Sequence, residues 1–250
     1  MDNVSRVQST LLMTALISTS LSAMPSQAAI RQQSRQLLTQ INGTYLALSW
    51  GDIWSRLSRQ RVPGGGRGEP ICMIAPRQLV DSDSRKEGSR EVWSDRPLFL
   101  WNIQGGTAQQ IKLLIPGSEK PWSRDIKAGE TKVIYDGKPL KPGQSYEWQL
   151  TVLAQFPIKT SFQFQVMESQ KRDRISAELR QLEERLKGAS QEKMALEKAN
   201  YFAQRELWSD ALRELYSVPK PSAELKSAIE LLQAHDFCPR PEDEPNASAS

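Results

Sequence analysis

The sequence contains very little histidine and cysteine, and this scarcity argues against several classes of catalytic and metal site. Its 250 residues include one histidine, His235, and two cysteines, Cys72 and Cys238. A Ser/His/Asp or Cys/His catalytic arrangement would have to use His235, which is expected to be a surface residue at a helix C-terminus. Two cysteines and one distant histidine do not form a recognisable zinc ligand set. We therefore expect a non-enzymatic protein with no metal and no cofactor.

The sequence also lacks a hydrophobic run long enough for a confident transmembrane helix. The apolar stretch Leu11–Leu21 has the length of a signal-peptide core. Arg6 precedes it, and Ser26–Ala28 follows as a small-x-small cleavage site. We predict a secretory signal peptide over residues 1–29 and an exported mature protein in the periplasm or outside the cell. An uncleaved membrane anchor is the alternative.

Neither the charge nor the motifs of the sequence indicate a nucleic-acid, phosphate or calcium site. The formal net charge is +4 and the pI about 9.1, but the two signs are mixed, so nucleic-acid binding is not implied. The glycine-rich stretch 56–68 lacks the Gly-Lys-Ser/Thr ending of a phosphate loop. Asp81 and Asp83 alternate like the start of a calcium loop without its glycine and distal glutamate. The adjacent Glu183 and Glu184 are typical of a solvated helix face.

The clearest structural element in the sequence is Leu140–Val152 (LKPGQSYEWQLTV). Its proline and glycine are typical of a turn. From Tyr146 onwards apolar and polar residues alternate, which predicts a half-buried strand. A Leu-x-Pro-Gly turn followed by a strand-opening tyrosine resembles the E–F corner of immunoglobulin-like and fibronectin type III sandwiches. By this resemblance Tyr146 is the corner residue whose hydroxyl bonds back to the turn.

Residues 70–168 carry strand patterns at spacings too short for crossover helices. The sheets must therefore be antiparallel, and two packed sheets fit the strand number, with a small barrel as the alternative. The predicted fold class is α+β, an antiparallel immunoglobulin- or fibronectin-III-like β-sandwich followed by a C-terminal α-helical region. The predicted strands are Ile71–Ala75, Pro97–Ile103, Gln109–Ile115, Trp122–Ile126, Thr131–Tyr135, Leu140–Val152 and Ser161–Met167.

Residues 169–238 have the periodicity of helices. Ser169–Lys187 carries one narrow apolar stripe, which favours a helix packed within the molecule over a coiled-coil seam. The stretch 191–237 resembles one tetratricopeptide repeat, which cannot bury its own face and must dock on its neighbours. It departs from the repeat at Ala195, where a tryptophan is expected, and at Pro219, which comes early. The residues that carry the resemblance are Ala199, Phe202, Ala211 and Leu215.

Two further segments and the cysteine pair leave alternatives open. Residues 30–69 are interpreted as a flexible or partly helical, basic and glycine-rich leader, with disorder favoured over an amphipathic element at Leu46–Leu57. Residues 239–250 are predicted to be a disordered tail. An even number of cysteines in an exported protein suggests a Cys72–Cys238 disulfide. The alternative is two separate buried thiols.

The whole layout between residues 60 and 238 resembles a group of uncharacterised exported cyanobacterial proteins. The resemblance implies no activity, but it implies a location in a cyanobacterial periplasm or envelope. The residues that carry it are Gly64–Cys72, Trp93–Trp101, Leu140–Trp148 and Asn200–Leu212.

The seven tryptophans are the best remaining indication of function. Exposed aromatic side chains could anchor a protein partner or stack on sugar rings. The preferred hypothesis is an adaptor or assembly module with protein partners in the cell envelope. A carbohydrate- or cell-wall-binding module is the alternative, and an enzyme with an unrecognised site is the third hypothesis. The candidate contact residues are Trp93, Trp122, Phe202, Trp208 and Tyr216.

Overall fold

The chain forms an α+β structure in which all but one of the described helices follow the strands. The structure, a computed structural model, describes residues 48–63 and 71–238, so the predicted signal peptide and C-terminal tail lie outside the described residues. The strands are β1 (Gln60–Arg61), β2 (Ile71–Ala75), β3 (Val80–Asp81), β4 (Glu91–Val92), β5 (Leu98–Ile103), β6 (Thr107–Leu114), β7 (Trp122–Asp125), β8 (Lys132–Ile134), β9 (Ser145–Leu153) and β10 (Pro157–Val166). The helices are α1 (Trp50–Leu57), α2 (Ser169–Arg185), α3 (Gln191–Gln204), α4 (Trp208–Tyr216) and α5 (Ala223–Ala234).

The strands form one five-stranded sheet, one three-stranded sheet and one small pair. The orders are β4-β10-β9-β6-β7, β2-β5-β8 and β1-β3. All neighbours are antiparallel except β4 and β10, as the short connections require. The predicted α+β class with mostly antiparallel sheets is confirmed. The strand β2 coincides with a predicted strand, and β5 to β10 overlap the others.

The inner faces of the two larger sheets share one buried cluster. In β9, Tyr146, Trp148 and the apolar residues after them are buried at every second position, because period two places them on one face. Phe99 in the other sheet packs on Trp148 with 5.1 Å between ring centroids. At the start of β9 the Tyr146 hydroxyl accepts the backbone N–H of Lys141 at 2.7 Å.

The three-stranded sheet is the middle layer of the molecule. Ile71 and Met73 belong to the cluster between the sheets, whereas Cys72 and Ile74 belong to a second cluster with the helices. All five residues of β2 are therefore buried, which explains its unbroken apolar sequence. The five-stranded sheet covers one side of this layer, and the helices cover the other.

Helix α1 lies within residues 30–69, for which a flexible or partly helical leader was expected, and its segment takes the helical alternative. Residues 30–47 and 64–69 lie outside the described residues. Ser49 caps the helix and accepts the backbone N–H of Asp52, while the Asp52 carboxylate accepts the Ser49 N–H, which is a capping box. Trp50 is buried, and its indole N–H donates to Glu192 at 3.0 Å. Its backbone N–H donates to Glu224 at 2.9 Å. Helices near the end of the chain therefore hold α1 in the core.

A disulfide joins Cys72 in β2 to Cys238, the last described residue. The two Cα atoms are 5.9 Å apart and the cysteines are separated by 166 residues. Beside it, the Val62 N–H donates to the Phe237 carbonyl at 2.7 Å. The segment after α5 is thus connected to the middle sheet by a covalent bond and to the segment after α1 by a hydrogen bond.

Candidate functional site

Two of the five contact residues expected from the sequence lie in the interior. Phe202 is 0% exposed and Trp208 is 6% exposed, and both belong to the cluster of the helices and the middle sheet. Their side chains therefore have no surface to offer a partner. Their expected role as contact residues is corrected because α3 and α4 turn these aromatic side chains towards the sheet rather than away from it.

Trp93 and Trp122 are half-buried, and each indole N–H is already bonded within the molecule. The Trp93 indole donates to the Ser176 hydroxyl at 3.2 Å, and the Trp122 indole donates to Asp136 at 2.9 Å. None of the seven tryptophans is fully exposed. The indole N–H groups of Trp93 and Trp122 are therefore occupied within the molecule.

An open groove lies between the edges of the two larger sheets. It has a volume of about 470 Å³ and is lined by residues 129–134 and Asp136, with Arg124 from β7 and Gln233 from α5. We call it the β8-edge groove. The chain builds it by passing directly from β7, the edge of one sheet, through a turn at Gly129 (φ +79°) into β8, the edge of the other.

The backbone of β8 presents unpaired hydrogen-bonding groups to this groove. Within the described residues, β8 pairs with β5 alone. The Thr131 carbonyl accepts an N–H of β5 at 3.1 Å, and the Tyr135 N–H donates to Pro97, the residue before β5, at 3.0 Å. Antiparallel strands alternate the direction of these groups. The N–H and C=O groups of Lys132 and Ile134 therefore point away from β5.

The charged residues of the groove are engaged with their neighbours. Arg124 and Glu130 form an ion pair at 2.8 Å. Asp136 accepts the Trp122 indole, and the Lys132 ammonium lies 4.8 Å from the centre of the Tyr216 ring, a distance typical of a cation–π contact. The groove therefore combines neutral overall charge with free backbone groups.

A much smaller cavity adjoins the groove, and Tyr216 forms part of its wall. This cavity has a volume of about 30 Å³ and includes Asn102, Thr131 and His235 in its wall. The Tyr216 hydroxyl is buried without a hydrogen-bond partner among the described residues, and burial raises its pKa. A space of this size accommodates nothing larger than a water-sized molecule.

His235 is half-buried rather than the surface residue expected from the sequence. Its Nε2 lies 2.6 Å from the Arg61 guanidinium, so the neutral ring accepts a hydrogen bond there. Trp54 and Phe237 pack edge-on against the imidazole, with ring centroids at 5.5 and 4.5 Å. Burial and the Arg61 charge lower its pKa. The imidazole thus joins the segment after α1 to the end of α5.

Two acidic residues of α4 are buried. Burial raises the pKa of Asp210 to about 6 and also raises the pKa of Glu214. Asp210 accepts the backbone N–H groups of Trp93 and Ser94 at 2.8 and 2.9 Å. In the segments 48–63 and 71–238, no three His, Cys, Asp or Glu side chains come together as a potential metal site. Asp210 holds the chain between β4 and β5 against α4.

The β8-edge groove is not indicated by the sequence. The pattern at Thr131–Tyr135 predicts a strand, but it does not show that this strand lies at a sheet edge beside α5. Gln233, on the helix side of the groove, lies about a hundred residues further along the chain, and no local pattern links the two. The sequence shows only that Lys132 and Asp136 flank Ile134 at alternate positions, and the structure adds that Ile134 is 37% exposed.

Comparison with protein families identifies the family of the chain. Residues 62–236 match the family model described as Domain of Unknown Function (DUF928). No curated protein matches the chain. None of the helices in the described residues has the length and apolar character needed to cross a membrane.

Proposed function

Because the chain belongs to the DUF928 family, whose name assigns no activity, we propose a function from its geometry: a non-enzymatic protein-interaction or assembly module. The observation that carries this proposal is the β8-edge groove. It is open to solvent and presents the free backbone N–H and C=O groups of β8, which strand addition by another polypeptide requires. Its charged side chains are ion-paired, hydrogen-bonded or, at Lys132, in a cation–π contact, so they resemble a binding rim more than a set of acid–base groups.

The proposed location is the periplasm or cell envelope of a cyanobacterium. The predicted signal peptide and the Cys72–Cys238 disulfide support export, since disulfides persist in oxidising compartments. The resemblance of four sequence segments to exported cyanobacterial proteins supports a cyanobacterial host.

We also propose that the two larger sheets form an immunoglobulin-like sandwich and that the helices after them include a tetratricopeptide-like pair. The hydrogen bond between Tyr146 and Lys141 supports an immunoglobulin-like corner in the sheet pair. The burial of Ala199 and Ala211 at the contact between α3 and α4 supports a repeat-like helix pair.

Site-specific photo-crosslinking tests the proposed surface. A photoreactive residue replaces Ile134 in the groove, and a matched variant carries it at Gln163, an exposed position on the outer face of β10. Both proteins are produced in the native host and checked for folding by circular dichroism. We expect a protein adduct at position 134 that is absent at position 163. Equal labelling at both positions, or no protein adduct at position 134, would contradict the proposal.

A further inference from the structure

We propose that the occupant of the β8-edge groove is a second copy of this chain. The two copies would place their β8 strands side by side and antiparallel, and so join two three-stranded sheets into one continuous sheet. This inference rests on the proposed function because it names the partner of the same surface.

A two-fold axis through Ile134 gives a self-complementary register. Such an axis requires that if one residue faces another, the reverse contact is also made. With Ile134 opposite Ile134 of the second copy, Lys132 lies opposite Asp136 of that copy, and the same pair forms again across the axis. The outward backbone groups of each strand then meet those of the other, because hydrogen-bonded pairs recur at every second residue.

The pairing of charges favours this register over registers that are shifted along the strand. A shift in one direction places Lys132 opposite Ile134 and Glu130 opposite Asp136, which brings two carboxylates together. A further shift in the same direction places Lys132 opposite Lys132. Like charges directly opposite destabilise a strand pair, and opposite charges stabilise it. The register centred on Ile134 is therefore the complementary one.

The exposure of the three side chains fits this pairing. Ile134 is 37% exposed, and it is one of few large apolar residues with that much accessible surface. Asp136 is also exposed, and Lys132 is half-buried. A lysine on a short edge strand commonly guards against pairing. Here the outward position two residues after Ile134 supplies the opposite charge, so a second copy complements the lysine.

Charge reversal tests the register. We expect the mass of the purified protein in sedimentation equilibrium to rise towards twice the chain mass with concentration. Lys132→Asp would place two aspartates opposite each other, and Asp136→Lys would place two lysines opposite each other, so each variant alone should remain monomeric. Mixed together they should dimerise again, because every facing pair then has opposite charges. A parent that stays monomeric, a Lys132→Asp variant that dimerises like the parent, or a mixture that stays monomeric would overturn the inference.

Ile134→Pro tests the backbone pairing with little risk to the fold. The Ile134 N–H points away from β5, so proline removes a hydrogen-bond donor that the monomer does not use. We expect a folded monomer by circular dichroism and sedimentation. Val133→Pro is the matched control, since the Val133 N–H faces β5 and its loss should lower the melting temperature.

The failure of this inference is distinguishable from failure of the proposed function. A crosslink from position 134 to a different polypeptide, with the purified chain monomeric, would overturn the second-copy assignment and leave the interaction module in place. No protein adduct at position 134, with a monomeric chain, would overturn both.

Discussion

The carboxylate of Asp210 accepts the backbone N–H of Trp93 at 2.8 Å, across 117 residues of sequence. The same carboxylate accepts the next N–H, that of Ser94, at 2.9 Å. Asp210 is 2% exposed and lies in the first turn of α4. One buried side chain therefore fixes the chain before β5 against a helix, and its ionisation state matters for stability.

The first prediction concerns the pH dependence of folding. Burial raises the pKa of Asp210 to about 6 from 3.8, so the folded protein takes up a proton in a pH range where the unfolded chain does not. The stabilisation that comes from protonating Asp210 in the folded protein is present in full below the pKa of Asp210 in the unfolded chain. It is lost as the pH rises through the pKa of Asp210 in the folded protein. We expect it to add about 1 kcal/mol to the free energy of unfolding between pH 7 and pH 5.

Asp210→Asn is the control for this prediction. Urea unfolding of both proteins at pH 7 and pH 5 isolates the Asp210 contribution, because other titrating groups cancel in the difference. The asparagine has one acceptor oxygen for two N–H donors, so at pH 7 we expect a loss of about 1–3 kcal/mol. The same pH dependence in parent and variant would contradict the assignment.

The second prediction concerns His235, whose signal is unambiguous because the chain has a single histidine. Its imidazole accepts from Arg61, and burial together with that charge lowers its pKa below 6.5. A proton NMR titration should give the lowered pKa, and Arg61→Gln should raise it. The stability due to neutral His235 is present above the unfolded pKa and lost as the pH falls through the folded pKa. An unchanged pKa in the Arg61 variant would refute the contact.

The third prediction concerns the disulfide. Replacing Cys72 and Cys238 with serine opens a loop closed over 166 residues. The chain-entropy account gives an expected loss of about 5 kcal/mol in the free energy of unfolding. Denaturant unfolding of parent and double variant measures it, with the parent under reducing conditions as a second comparison. Equal stability of oxidised parent and double variant would show that the bridge does not constrain the unfolded chain.

The fourth prediction separates interior aromatic residues from surface ones. Phe202→Ala should lower the free energy of unfolding by about 3–5 kcal/mol, because it opens a cavity at a fully buried position. Phe156→Ala is the matched control, since Phe156 is 77% exposed, and a surface change of this kind costs about 0.5 kcal/mol or less. Similar losses for the two variants would contradict the placement of Phe202 in the core.

Strands with a clear period were predictable from sequence, whereas very short strands were not. The alternation after Tyr146 sets one face of β9 against the other sheet, and the turn before it contains Gly143 at φ +75°. Strands of two residues, such as β4 at Glu91–Val92, are too short for a periodic pattern. They form because tertiary contacts bring them beside another strand, β4 beside β10 and β1 beside β3.

Helix α1 and the buried aromatic residues show what local patterns leave undecided. The spacing of Trp50, Ile53 and Leu57 indicated an amphipathic element, but the basic glycine-rich stretch after it favoured disorder. The deciding partners, Glu192 and Glu224, lie far along the chain. Likewise, nothing local showed whether aromatic residues on α3 and α4 faced the sheet or the solvent. Of the five candidate contact residues, Phe202 and Trp208 are therefore buried.

A chain synthesised from its N-terminus cannot complete the described contacts until its last described residues have been made. The hydrogen bonds of α1 need Glu192 of α3 and Glu224 of α5. Val62 likewise bonds to Phe237, and Cys72 to Cys238, close to the end of the described residues. Any product truncated before residue 238 therefore lacks the disulfide and leaves Cys72 unpaired, and one truncated before residue 224 also lacks the Glu224 partner of Trp50. The described residues therefore reach their complete set of contacts only once the whole segment is present, not progressively from the N-terminus.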